Sequence, residues 1–184
     1  MKFEIRNENQ RSGDYEEMKN LFRPSHADFA ARMKYGEGVD LRGGGHFSGR
    51  ITAPIVFAGA VCRQLLEKNG VKITAHIERV GNVTDERFDP VYISPELMER
   101  LSKSSFALIN TEKEAAMRAE VESARLDMDS VGGVIECAVT GLPAGVGEPM
   151  FDGVEGAIAK AVFGVPAVKG IEFGAGFELA RMRG

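Results

Sequence analysis

Two short stretches of the chain combine residue types that handle anions and protons. The first is Arg23-Pro24-Ser25-His26-Ala27-Asp28. Proline fixes the backbone after Arg23, so the arginine and His26 are presented from a defined turn. A guanidinium grips phosphate or carboxylate with two parallel hydrogen bonds, and histidine exchanges protons near neutral pH. Asp28 stands where it either caps a following helix or orients the histidine. The second stretch is Arg42-Gly43-Gly44-Gly45-His46-Phe47-Ser48-Gly49-Arg50. Backbone N–H groups of a glycine loop ahead of a helix N-terminus suit an anion. Both stretches also have plain structural readings, a helix-capping surface turn for the first and a flexible turn for the second.

The elements around them follow from periodicity. A short helix is expected from Ala27 to Lys34, ended by Gly36. Thr52 is a good N-cap, with Pro54 tolerated in the first turn, and opens a strong helix. Residues Ile55–Val61 are apolar on every side, which predicts burial on several faces. Asn69-Gly70 supplies a left-handed stop. Val71, Ile73, Ala75 and Ile77 alternate with Lys72, Thr74, His76 and Glu78, which predicts a half-buried strand with His76 on its solvated face. Ser94-Pro95-Glu96 starts a helix through Lys103. Another runs from Thr111 to Asp127, with Met117, Val121, Ala124 and Met128 as its core stripe, and Gly132-Gly133 breaks it. Val134–Thr140 reads as a strand before the turn Gly141–Gly145. Asp152 opens a helix through Phe163, and Val168–Phe173 is expected as a last strand. Strands that alternate polar and apolar favour α+β with antiparallel sheets over a doubly wound parallel sheet.

Composition bounds the function. The chain has 184 residues, 43% hydrophobic and 27% charged, enough for one globular domain. Its net charge of −4 argues against broad nucleic-acid binding. The basic residues Arg23, Arg32, Lys34, Arg42 and Arg50 nevertheless crowd the first quarter, a region suited to an anion. No apolar run reaches the length of a membrane span, and the N-terminus lacks the apolar core of a secretory signal. Residues 1–22 are polar and are expected to be poorly ordered. Cys62 and Cys137 read as reduced core residues. No metal-ligand spacing, P-loop, dinucleotide fingerprint or G-x-S-x-G nucleophile motif is present.

Taken together, RPSHADFAARMKYG and DLRGGGHFSGRITAPIVFAGAV resemble chorismate synthase. The second block carries that family's mid-chain signature in Ser48, Gly49, Arg50, Thr52, Val56, Gly59, Ala60 and Val61. A third block, from Asp129 to Gly184, looks like the same family in the same order. The resemblance implies a flavin-dependent lyase that converts 5-enolpyruvylshikimate 3-phosphate to chorismate by anti-1,4-elimination of phosphate. It implies reduced FMN as cofactor, a place in the shikimate pathway of aromatic amino-acid biosynthesis, a cytoplasmic homotetramer, and no nucleic-acid, membrane or metal partner. The implied fold is a helical layer packed against antiparallel sheets, part of a β-α-β sandwich. By motif, His26 matches a catalytic proton donor, and Arg23 and Arg50 match substrate-binding arginines. His46, Phe47 and Ser48, with Pro166 and Ala167, match flavin contacts. Ser25 departs from the usual glycine, His46-Phe47 from a common Arg-Ser pair, and Ile51 from a common glutamate. The family's Gly-Glu-Ser-His-Gly motif and C-terminal signature are not in this sequence. The chain is therefore expected to be a single partial domain (1–184) of an internal fragment, inactive by itself. Two other readings stand beside this one: a non-catalytic assembly module, and an unrelated phosphoanion-binding protein using Arg23 and Arg50.

Overall fold

The computed structural model describes residues 2–6, 21–24 and 26–184. The expectation of poor order in residues 1–22 falls largely outside the described residues. The chain divides into two compact units, Met1–Val61 with Gly147–Gly184, and Cys62–Val146.

The first unit begins its regular structure with α1 (Asp28–Tyr35), and the N–H of Gly36, with φ +74°, bonds back to Arg32. The glycine loop follows. A short 3-10 turn (Gly49–Ile51) then leads into α2 (Thr52–Lys68). Thr52 does not act as the cap: its hydroxyl donates to Gly49 O at 2.7 Å, and the Ser48 side chain receives the Arg50 N–H instead. No residue of α2 is buried, and Ile55 and Val56 are 52% and 70% exposed, against the expectation for Ile55–Val61. Phe3 stacks on Phe57, but no described element packs over the rest of that apolar circumference. Later in the unit come α5 (Val154–Val162) and a 3-10 turn (Gly176–Arg181). The strand expected at Val168–Phe173 does not form: the segment is irregular and finds no ladder partner among the described residues.

The second unit is a three-stranded antiparallel sheet of order β2-β1-β3, made of β1 (Lys72–Val80), β2 (Val83–Thr84) and β3 (Gly133–Thr140). A bulge between Ile77 and Arg79 interrupts the β1–β3 register. Two helices, α3 (Pro95–Lys103) and α4 (Glu114–Leu126), pack against β1. Ser94 caps α3 as expected, its hydroxyl accepting the Leu97 N–H at 3.1 Å. Val80, Leu108 and Met117 form the small core, with Ile77, Val83, Phe106 and Val131 against it. Of the expected α4 stripe only Met117 is fully buried; Val121 and Met128 are exposed, because the helix contacts the sheet mainly through its first turns.

The polar face of β1 is buried rather than solvated, while Val71 is buried as expected and Ile77 packs against the core. Thr74, His76, Glu78 and Val80 are buried, while Ala75 is exposed and Ile73 and Ile77 half-buried. His76 is 1% exposed rather than solvated. Its Nε2 lies 2.8 Å from Glu136 Oε2, directly across the ladder, and its Nδ1 lies 3.2 Å from Asp85 Oδ2. Asp85 also accepts the N–H groups of Ile109 and Asn110 at 2.6 and 2.9 Å. Glu136 accepts that of Phe88, whose ring meets the imidazole edge-on. Burial of His76, Asp85 and Glu136 is tolerable because they are bonded to one another and to backbone, whereas the buried Thr74 hydroxyl on the same face has no partner among the described residues. The opposite, apolar face leaves Ile135 and Val139 exposed. Cys137 shares it, and both Cys62 and Cys137 are exposed thiols, which corrects their assignment to the core. Among the described residues no helix is long and apolar enough to cross a membrane.

Candidate functional site

The Arg23–Asp28 turn is organised by a buried carboxylate. Asp28 opens α1 and is 2% exposed. Its Oδ2 accepts Arg23 Nε at 2.7 Å and the Arg23 backbone N–H at 3.2 Å. Its Oδ1 accepts Arg23 Nη2 at 2.8 Å and faces His26 Nδ1 at 2.7 Å. The turn and fork geometry thus places arginine and histidine side by side, as the proline-set backbone requires. The Arg23 guanidinium, with smaller help from His26, holds the Asp28 carboxyl far below the usual carboxylate range despite its burial. Asp28 does not cap α1 through its side chain; it is spent on Arg23 and His26.

The glycine loop comes against this turn. Gly43, Gly44 and Gly45 have φ of +59°, +89° and +51°, a run of left-handed backbone that side chains resist. A Cβ on Gly44 would stand 3.5 Å from His26 Nε2 and 3.2 Å from Ser48 Cβ. His26 Nε2 therefore faces the loop at Gly44, which has no side chain to cover it. Arg50 closes the loop from the far side, donating from Nη2 to Gly43 O at 3.1 Å and from Nε to Ser48 Oγ at 3.2 Å. Two motifs separated in sequence thus meet: Arg23, His26 and Asp28 on one side, Gly43–Gly45, Ser48 and Arg50 on the other.

Other expected members are placed differently. Arg42 is engaged within its own turn. It forks onto Asp40, Nε at 2.9 Å and Nη2 at 2.6 Å, and lowers the Asp40 carboxyl to about 2. His46 and Phe47 are exposed beside the loop, and Ser48 is half-buried within it. Pro166 and Ala167 lie on the exposed turn after α5, outside the hydrogen bonds that join the cluster, with Ala167 at a left-handed φ of +69°. The Asp40–Arg42 pair escaped the sequence reading, although its two-residue spacing offered a signal. So did the His76–Asp85–Glu136 network, whose three parts are far apart in sequence.

A family model of chorismate synthase matches residues 1–184. The chain is 44% identical over 186 residues to chorismate synthase of Korarchaeum cryptofilum, covering 98% of this chain and 49% of that protein. It is 43% identical over 180 residues to chorismate synthase of Dehalococcoides mccartyi strain BAV1, covering 98% of this chain and 48% of that protein. A crystal structure of chorismate synthase superposes with a TM-score of 0.74 at 31% identity, covering 86% of this chain and 50% of that one. The chain spans about half the length of the curated relatives it matches.

Proposed function

The chain belongs to the chorismate synthase family, and from that premise we propose that it supplies the Arg23–His26–Arg50 part of a carbon–oxygen lyase site. In the reaction, 5-enolpyruvylshikimate 3-phosphate loses phosphate and a ring proton by anti-1,4-elimination. A C–O bond breaks, a new C=C bond forms, and chorismate and phosphate leave. The reading places this work in the cytoplasm, in the shikimate pathway, in a homotetramer.

The observation that carries the reading is the approach of His26 and Arg50 to a loop of three left-handed glycines, with Arg23 beside His26. Arg23 and Arg50 hold the substrate's anionic groups and offset the charge that builds on the departing phosphate. His26 carries an exchangeable proton at the Nε2 that faces the loop. The same loop suits a phosphorylated flavin, because Gly44 leaves open the space beside His26 and Ser48 that a Cβ would fill. His46, Phe47 and Ser48, with Pro166 and Ala167, are the residues that would hold it. Reduced FMN, when bound, supplies electron density that promotes loss of phosphate without net redox change. The chain spans about half the length of its relatives, and by itself it is expected to bind anions and not to turn over.

Calorimetric titration of the 184-residue chain with 5-enolpyruvylshikimate 3-phosphate tests the assignment. Loss of one charge-assisted contact costs about 1.5–3 kcal/mol, roughly 10- to 150-fold in affinity. Arg50→Ala and Arg23→Ala are each expected to weaken binding by that factor. Unchanged affinity in Arg50→Ala removes the arginine from the site.

A further inference from the structure

We propose that Asp28 is a positioning residue that fixes the proton of His26 on Nδ1 and so presents Nε2 to the glycine loop. The inference rests on the reading of His26 as the proton-handling residue, but its geometry stands independently. Nδ1 and Asp28 Oδ1 are 2.7 Å apart, and one of them must donate. Asp28 is an acceptor only: it receives three hydrogen bonds from Arg23, which has nothing but donors to give. The proton between them therefore sits on Nδ1. Arg23 Nη2 also lies 3.2 Å from Nδ1. That approach follows from two donors converging on the shared Oδ1, not from a bond between them. The depressed carboxyl of Asp28 agrees, since it keeps the acceptor ionised throughout the neutral range.

Nε2 is then left as the nitrogen whose protonation changes. It faces Gly44, where a Cβ would stand 3.5 Å away, so the access is a property of the glycine. Without Asp28 the neutral ring would be free to place its proton on either nitrogen, and Arg23 would lose the anchor for its Nε and Nη2. One buried carboxylate thus sets both the tautomer of the histidine and the direction of the arginine fork. In hydrolases an aspartate on a histidine's far nitrogen plays a comparable orienting part; here the same carboxylate is also shared with an arginine.

Asparagine at position 28 gives an opposite and specific outcome. Its carbonyl oxygen is expected at the Oδ2 position, where two Arg23 donors, N and Nε, need an acceptor against the one, Nη2, at Oδ1. Its amide NH₂ then takes the Oδ1 position, where Nη2 loses its acceptor, and donates to Nδ1, which has to become the acceptor. Asp28→Asn is therefore predicted to move the His26 proton from Nδ1 to Nε2, while Asp28→Glu, which restores a carboxylate, returns it at least in part to Nδ1.

Long-range ¹H–¹⁵N spectra of the histidine-labelled chain at pH 8 read the tautomer directly, with neither substrate nor flavin present. In the wild-type chain Nδ1 is expected to resonate as a protonated, pyrrole-type nitrogen. A pyridine-type Nδ1 there overturns the proposal without need of any variant. In a folded Asp28→Asn chain the two nitrogens are expected to exchange roles, and an unchanged pattern also overturns it. The lyase reading is judged separately by substrate titration, so either can fail while the other stands.

Discussion

Replacing His76 probes whether the buried polar face of β1 is a structural centre of the second unit. The imidazole is 1% exposed and reaches Glu136 Oε2 at 2.8 Å and Asp85 Oδ2 at 3.2 Å. Bonds to charged partners contribute about 1.5–3 kcal/mol each, and breaking a buried ionic cluster costs about 3–5 kcal/mol. Two features moderate the loss. Asp85 keeps the N–H groups of Ile109 and Asn110, and Glu136 keeps that of Phe88 with its side chain 26% exposed. His76→Ala also forfeits the edge-on contact with Phe88, at 4.7 Å between ring centroids, worth about 0.5–1.5 kcal/mol. The expected destabilisation is about 3–4 kcal/mol, or roughly 6–16 °C in melting temperature for a chain of this size. His76→Phe separates bonding from volume: it keeps an aromatic ring against Phe88 and still loses about 2–3 kcal/mol, because the ring nitrogens that face Glu136 and Asp85 are gone. Urea unfolding followed by circular dichroism measures both. If both variants lie within about 0.5 kcal/mol of wild type, His76 is a solvated strand residue after all and the assigned face is wrong.

Three further outcomes follow from the site. Gly45→Ala places a Cβ against the Asp40 carbonyl at a φ of +51°; it should destabilise the loop by about 1–3 kcal/mol and weaken phosphate binding in the same titration, and equal affinity would show that the loop tolerates other shapes. The Asp28 carboxyl lies below its ordinary value of 3.8 when folded, so its contribution is complete above that value and disappears as the pH falls through and below it. The stability gap between wild type and Asp28→Asn should thus not close between pH 8 and about pH 5 and should close below it, and a gap that closes between pH 7 and 5 contradicts the assignment. Ala167 holds a φ of +69°, and Ala167→Gly should raise stability by about 0.5–1 kcal/mol; a loss in thermal melts would mean that the methyl group makes a needed contact.

The sequence made local structure legible wherever a single segment decides it. Pro95 after Ser94 marked the start of α3, and Gly36 and Gly70 marked helix ends with left-handed backbone. The Arg23–Asp28 turn and the glycine loop were also legible as chemistry, since arginine, histidine and a glycine run have few uses in common. What periodicity could not provide is which face of an element another element covers. Along β1 the apolar set Ile73, Ala75 and Ile77 looked like the inward one, and Ile77 does pack against the core, yet the segment holding Asp85, Arg87 and Phe88 closes over His76 and Glu78. That choice depends on Asp85 and Glu136, 9 and 60 residues away from His76. The apolar girth of α2 and Cys137 on β3 pose the same problem in reverse. Both read as interior and both are open in this chain, which spans about half of its relatives' length. Within the site, Asp28 was legible only as a pair of options. The distances to Arg23 and His26 decide between them, because a carboxylate already receiving three bonds has no role left as a helix cap.

The central claim is that this chain carries the His26, Arg23 and Arg50 part of a chorismate-forming site. A chimera tests it most directly, with the matching half of the Korarchaeum cryptofilum relative replaced by this chain. Chorismate release from 5-enolpyruvylshikimate 3-phosphate would be followed in the presence of photoreduced FMN. The account predicts turnover in the chimera, and a fall of roughly 10²–10⁴-fold when His26 is changed to Ala. A folded chimera that binds the substrate but forms no chorismate, or one whose rate is indifferent to His26→Ala, would contradict it.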